Sequence, residues 1–402
     1  VSEVPIHETP GERVRMLRKR AGMTQAELGN LVGRDQSWIS RIEKGEYELD
    51  SVSQLNELAR ALRAHPNELT GRPLHDPAAP ARRGHDAATD LLRHLRRLDL
   101  APERSEHRPL EQLAEELAAL TRLRGQAKYV QLGIQAVDLV TELHAATTDP
   151  GQARREAAFR LLAHTCKEIH SLGHGLGYPD LVVLAAWRVR WAAEHCDDPR
   201  MLAMADYLAA RDAWTTADWA DAMALIDRAL AIVEQAPDPS GVGALSLTGA
   251  LHLRAAITAA RAGNAHEAYH RLDQAGDAAH GAGACDPYLT WFSAGNVGLH
   301  RVAVAVEIGD GVEAVRRSRG LIVPADIPPS RLAHHYLDTS RGFAWIGDPE
   351  RSLAALERAD SLAPELVRNH PMAQAVMRGL LRAERRSIRG RMHRMATRLQ
   401  VA

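Results

Sequence analysis

Apolar residues recur at three- and four-residue spacing from Val14 to about Leu399, and almost nowhere alternate in twos. That period lays one face of a helix on a core, whereas a half-buried strand needs a period of two. Ala, Leu, Arg and Glu, all good helix formers, dominate the same stretches. The pattern predicts an all-α chain in three zones. Residues 11–71 hold short helices with tight stops. Residues 72–109 carry Pro73, Pro77, Pro80, Pro102 and Pro109 around one amphipathic stretch, Asp86 to Leu98, and read as a partly helical linker. Residues 110–402 run as helical pairs cut by Gly-Asp, Gly-Asn and Asp-Pro turns.

The first zone carries its helix boundaries in its capping residues. Gly11 to Ala21 is a helix with Val14 and Leu17 inward and Arg13, Arg15, Arg18, Lys19 and Arg20 largely outward; Gly22 ends it. Thr24-Gln25-Ala26-Glu27 is a capping box opening a second helix that runs to Val32. Gly29 sits there where a larger side chain would hold off the next helix, and Gly33 closes the element. Asp35 is the N-cap of a third helix, Gln36 to Lys44, with Ile39 and Ile42 toward the core. Ser51-Val52-Ser53-Gln54 reads as a second capping box, and Pro66 to Thr70 as a short fifth helix ending at Gly71.

Two short capped helices joined by a tight turn, the second with an outward polar face, form the helix-turn-helix pattern. The run VRMLRKRAGMTQAELGNLVGRDQSWISRIEKGEYELDSVSQLNELARALRAHPNELTG resembles the Xre/Cro family without gaps. The resemblance implies a five-helix, lambda-repressor-like DNA-binding domain over residues 11–71. By position it implies that Gln25 grips a phosphate at a helix N-terminus, where an anion is already favoured. It places Gln36, Ser37, Ser40 and Arg41 on the exposed face of the recognition helix, Gln36 toward adenine and Arg41 toward guanine or a phosphate. Lys44 and Tyr47 fall where the family contacts the DNA backbone. Trp38 replaces the small residue usual at its position; it either packs on a sugar or thymine methyl, or covers the domain surface. Asp35, Glu43, Glu46 and Glu48 lie near this interface, so modest affinity per domain and a homodimer on operator DNA are expected.

The third zone repeats. Four segments align on a turn residue followed five later by a small one: Ala217/Ala222/Ile226/Ala229, Gly263/Ala268/Leu272/Ala275, Gly309/Ala314/Ser318/Leu321 and Gly347/Ser352/Leu356/Ala359. Seven residues before each anchor stands another small or β-branched residue, Ala210, Ala256, Val302 or Ser340. A weaker copy begins near Gly177, with Asp180 to Ala193 as its second helix. The arrangement resembles a tetratricopeptide (TPR) array, a right-handed α-solenoid, although the anchor spacings of 46, 46 and 38 residues exceed the usual ~34. Such stacks form concave surfaces lined by the first helix of each pair. That makes Arg254, Trp291, Asn296, His300 and His335 candidates for holding a peptide or small-molecule effector, Asn296 foremost because an amide both donates and accepts. Pro371 to Arg398 reads as a capping helix with a loose tail.

Charge changes the picture little: 50 Lys and Arg against 51 Asp and Glu leave a net −1, so any DNA contact has to be local. Three scattered cysteines (Cys166, Cys196, Cys285) exclude a disulfide scaffold and fit a reducing compartment. No apolar run approaches the ~20 residues of a membrane span, the greasiest being Leu181 to Trp187, and Val1 to Pro10 shows no signal-peptide core. A cytoplasmic protein without membrane contact is expected. His170 and His174 are four apart, but Gly173 and Gly175 predict a helix end before His174, so no metal and no cofactor are expected. No Walker loop, dinucleotide fingerprint, HExxH or GxSxG motif occurs, and no enzyme is expected. The reading that follows is a transcriptional regulator whose repeats dimerise and sense a signal. An Xre-type head on TPR-like repeats also resembles peptide-pheromone-sensing regulators. The competing reading is an interaction scaffold with a weak or tethering DNA-binding head.

Overall fold

Capping chemistry and close glycine contacts set the N-terminal domain. A computed structural model describes residues 9–62, 64, 66–70, 79–283, 286–325, 327–383 and 386–401. Within them every regular element is a helix. The domain holds α1 (Pro10–Arg20), α2 (Gln25–Leu31), α3 (Gln36–Glu43), α4 (Val52–Ala61) and α5 (Pro66–Thr70). Thr9 and Glu12 cap α1 reciprocally, Thr24 and Glu27 cap α2 in the same way, and the Asp35 carboxylate accepts from the Trp38 N–H. Gly29 permits the turn into α3: a Cβ there would lie 2.7 Å from the Arg34 carbonyl oxygen. Gly11 is tighter still, 2.1 Å from the Ile42 oxygen, which lets α1 lie directly on α3. Ser51, in contrast, makes no side-chain cap; the second capping box does not form. Its neighbour Ser53 donates instead to the Arg261 carbonyl, 3.0 Å away in the body. Gly71 and the prolines at 73 and 77 lie outside the described residues.

The body begins earlier than the proline pattern implies. α6 (Ala79–Arg97) contacts α8 (Tyr129–Ala146), α9 (Gln152–Leu176) and α10 (Pro179–Ala193), and buries Ala88, Leu91, Leu95 and Leu98. Arg188 of α10 fastens its end, donating to the Leu95 carbonyl and to Asp99. From Asp86 onward the expected linker is therefore packed structure.

Helix pairs follow α7 (Leu110–Gly125) and α8: α9 with α10, α11 (Arg200–Asp212) with α12 (Trp219–Gln235), α13 (Val242–Arg261) with α14 (Ala265–Ala282), α15 (Ala294–Ile308) with α16 (Gly311–Gly320), and α17 (Pro329–Trp345) with α18 (Pro349–Leu362). The aligned turn residues Gly177, Ala217, Gly263, Gly309 and Gly347 all have positive φ, between 57° and 91°. That left-handed conformation reverses the chain within two or three residues and favours glycine. The small residues five later (Ala222, Ala268, Ala314, Ser352) and seven earlier (Ala210, Ala256, Val302, Ser340) are buried at 0–1% exposure, where the paired helices come closest. Ala127, between α7 and α8, has φ 53° and marks a further pair that the alignment missed.

First helices α11, α13, α15 and α17 stand side by side as the inner layer. The stack curls until its ends meet: α7 touches α17, α9 touches α19 (Pro364–Arg368), and the Val130 N–H donates to Glu365 at 3.0 Å. α20 (Pro371–Arg382) and α21 (Arg389–Arg398) close the end, with Met395, Leu399 and Val401 buried, so the segment is anchored rather than loose. α13 is long and apolar enough to cross a membrane by length and composition, unlike the sequence-based expectation; most of its surface is buried among the neighbouring helices.

One ion cluster ties the inner layer together. Glu307 of α15, 6% exposed, accepts from Arg261 of α13 and from Arg341 of α17, each at 3.0 Å. Burial works to raise its carboxyl pKa, but Arg261 and Arg341 overcome this and hold it down at about 2. Glu307→Gln takes the charge partner from Arg261 and leaves Arg341 with Asp338, 3.3 Å away, and is expected to lower unfolding stability by about 3 kcal/mol at pH 7. A depressed carboxyl contributes stability above its unfolded pKa and loses it as pH falls toward 2. Urea titrations at pH 7 and pH 3 should therefore show the gap between wild type and Glu307→Gln shrinking at the lower pH.

Candidate nucleic-acid interface

Helix α3 carries most of the side chains that the sequence pattern assigns to DNA contact. Gln36, Ser37, Arg41 and Lys44 are exposed, and Ser40 is half-buried on the same helix. The Ser37 hydroxyl donates to Asp35, so it helps fix the cap as well as facing outward. Trp38 is 6% exposed, its ring centroid 5.8 Å from Tyr47 and 5.5 Å from the Arg34 guanidinium carbon. Trp38 is thus buried in the core of the domain, with half-buried Tyr47 as its partner.

A buried network orients α2 against α3. Arg18, expected to point outward, is 8% exposed and donates to both Glu43 oxygens at 2.5 and 2.9 Å, and to the Met23 carbonyl at 2.7 Å. Gln25 donates its amide to the same carboxylate at 2.9 Å. Burial pushes the Glu43 carboxyl pKa up, but the Arg18 and Gln25 hydrogen bonds and the Arg18 charge pull it below its ordinary value. One face of the Gln25 amide is thus held at a fixed angle while its helix end remains available to an anion.

The acidic residues near the interface are also mostly engaged. Glu43 is paired internally, Asp35 caps α3, and Glu48 is held by Arg378 and Arg382 of α20 at 3.0 and 2.6 Å. Only Glu46 stands exposed without such a role. These contacts belong to a docking seam between domain and body. Asp50 accepts from the Trp345 indole at 2.7 Å, Arg382 donates to the Gly45 carbonyl, Asn56 donates to the Trp214 carbonyl, and Arg60 pairs with Asp218. Of the eight expected DNA contacts, Tyr47 borders this seam, lining a cavity with Glu48, Arg378 and Arg382.

The residues expected to line the repeat concavity separate. Arg254 of α13 is 9% exposed, its guanidinium carbon 3.8 Å from the Tyr207 ring centroid. His300 is half-buried and faces Arg331 and Arg254; burial and these cations hold its imidazole neutral, at about 3. Trp291 is not on a helix but in the α14–α15 connection, its φ of 63° unusual for a side chain of that size, with Arg124 4.7 Å from its ring centroid. Asn296 donates to the Trp291 carbonyl at 3.1 Å, and its Oδ1 is buried without a hydrogen bond. His335 is 6% exposed and lies beside Tyr336.

Tyr207, Arg211, Arg331, Lys167 and Arg124 share the interior and were missed. Only Tyr207 and Arg211 carried a sequence signal, their four-residue spacing on one helix. α9 runs through Gly173 to Leu176, so His174 is helical after all. His170 and His174 both face Asp212, at 2.9 and 3.0 Å, and the three ligating atoms lie within 4.8 Å of one another. Those are hydrogen-bond lengths, and Arg211 beside them opposes a second cation.

The comparisons agree with the domain. A family model described as a helix-turn-helix domain matches residues 11–70. Fold, capping and this match define residues 11–70 as a helix-turn-helix domain. Among solved structures, Bacillus thuringiensis PlcR in complex with the peptide PapR7 and DNA is similar at 15% identity, over 68% of this chain and 94% of that one, with a TM-score of 0.32. No curated protein matches.

Arg18→Met removes the cationic partner of a carboxylate 3% exposed and leaves the Gln25 amide to hold it. Thermal unfolding of the N-terminal domain should fall by an amount equivalent to about 3 kcal/mol. Equal stability of Arg18→Met and wild type would contradict the orienting role of this network.

Proposed function

We propose that the chain is a transcription regulator that reads operator DNA with α3, as a homodimer, and that its TPR-like body senses a peptide or small-molecule effector without catalysing a reaction. The observation that carries the DNA reading is the exposed row Gln36, Ser37 and Arg41, on a helix capped by Asp35 and braced by the Arg18–Glu43–Gln25 network. Gln matches the paired acceptor and donor of adenine, and Arg the two acceptors of guanine. Two half-sites double the contacts that one short helix supplies.

The seam supports the link from body to head. Asp50, Ser53 and Asn56 are bonded to α17, α13 and the turn after α11, the inner helices that would line an effector site. A shift of the inner layer on effector binding therefore acts directly on α4 and the segment after α3. A pre-existing equilibrium between docked and released heads is enough for an effector to bias.

Selection of bound genomic fragments followed by titration provides the test. Gln36→Ala with Arg41→Ala should weaken the selected site by about 10²-fold or more while leaving non-specific binding nearly intact. Lys44→Ala should lower affinity for all sequences alike and reduce the slope of log K against log salt by about one. Selected fragments bound equally by wild type and the double variant would overturn the assignment of α3.

A further inference from the structure

Three arginines from three inner helices gather around one tyrosine inside the body. Tyr207 and Arg211 lie one turn apart on α11, Arg254 comes from α13 and Arg331 from α17. Arg254 stacks over the Tyr207 ring at 3.8 Å, and the charges of Arg254 and Arg331 both act on the phenol. The charges are mutually unfavourable. Burial lowers the Arg211 pKa first, and Arg254 lowers it further, to about 10. Burial works to raise the Tyr207 phenol pKa, yet Arg254, Arg331 and Lys167 bring it down to about 7.

The carboxylates nearby are already engaged. Asp212 accepts from His170 and His174, Glu168 from Arg124 and Lys167, and Glu307 from Arg261 and Arg341. Among the described residues no carboxylate forms an ion pair with Arg211, Arg254 or Arg331. The imidazoles facing them, His300 and His334, are held neutral by burial and add no charge of either sign.

One wall of this interior is main chain. The segment from Asp286 to Phe292 crosses it, with Leu289 and Trp291 at φ 53° and 63°. The Leu289 carbonyl accepts from Arg124 at 2.8 Å and from Lys167 at 2.6 Å, and the Thr290 carbonyl accepts from Arg331 at 3.1 Å. Carbonyl dipoles thus satisfy Arg124, Lys167 and Arg331, while Arg254 lies over the Tyr207 and Trp214 rings and Arg211 has the charge of Asp212 nearby. Asp212 offsets part of the charge on Arg211, but like charges drawn together and partly out of water still cost free energy. A bound anion would return it, with planar guanidinium forks suited to two oxygens at once.

We propose that Arg211, Arg254 and Arg331, over Tyr207, form the binding site for the anionic group, a carboxylate or phosphate, of the effector. This inference rests on the sensing reading for the word effector, and on the geometry alone for the anion. The ligand is a small acid, a phosphate ester or a peptide held by its C-terminal carboxylate.

The test uses the full chain without DNA. Ten millimolar-range inorganic phosphate, against chloride at matched ionic strength, should raise Tm by about 3 °C. Tri-alanine with a free carboxylate, against its C-terminal amide, separates a peptide carboxylate from a phosphate as the group preferred. Arg211→Met should abolish the phosphate shift and, by relieving repulsion, leave Tm in chloride unchanged or higher. Arg331→Lys, which keeps the charge and loses the fork, should fold and weaken the phosphate response several-fold. Equal Tm for wild type in chloride, phosphate and tri-alanine, or equal shifts in wild type and both variants, overturns the site. Intact phosphate binding with DNA affinity unaffected by phosphate leaves the site standing and overturns the sensing reading.

Discussion

The fold turns on one buried carboxylate. Glu307 takes a guanidinium from the helix on either side of it, so α13, α15 and α17 are fixed in register by a single charge. Helix pairs made largely of Ala and Leu have smooth surfaces that can slide, and small side chains give little interlocking to prevent it. A buried ion triad has one arrangement that satisfies it and a large penalty for others. Its position matters further, because the same two helices hold the N-terminal domain. The Arg261 carbonyl accepts from Ser53, the Arg261 guanidinium lies over Trp214, and Trp345 reaches Asp50. Inner-layer geometry and head placement are therefore set at one junction.

Charge in this protein is organised by place rather than by total. The near-neutral sum conceals an N-terminal domain in which Glu43 is turned inward and Glu48 and Asp50 are spent on the seam, and a body that gathers cations in its interior. Glu43 and Glu48, which in the sequence look like obstacles to a phosphate backbone, are neutralised by Arg18 and by Arg378 with Arg382. That leaves Arg41 and Lys44 exposed beside a capped helix. In the body, Arg211, Arg254 and Arg331 lie far apart in sequence and face one another only because the solenoid curls.

Much of the helix-turn-helix domain was legible residue by residue. Thr24, Glu27, Asp35, Gly29 and Gly33 act locally, within three or four positions, and local signals survive any tertiary context. The repeat anchors were legible for the same reason: a left-handed turn residue and a small residue at a fixed offset describe a single hairpin. Ser51 failed as a cap because Ser53 and Asn56 are committed to the body, a competition invisible within the segment. Arg18 was misplaced because its helical face looks solvent-exposed until α3 delivers Glu43. The proline-rich zone misled in the opposite direction, since α6 finds its apolar partners on α8 and α10, beyond the reach of a linear pattern.

The sequence by itself determined the helical class, most cap and turn positions, the exposed polar face of α3 and the hairpin repeat, because each depends on contacts within a few residues. Only the tertiary structure decided the closure of the solenoid, the docking of head on body, the Glu307 triad and the arginine-lined interior. Each of these joins groups dozens to hundreds of residues apart, such as Val130 with Glu365 or Glu48 with Arg378. Their partners are chosen by the curvature that accumulates along the stack, and no local spacing records that curvature.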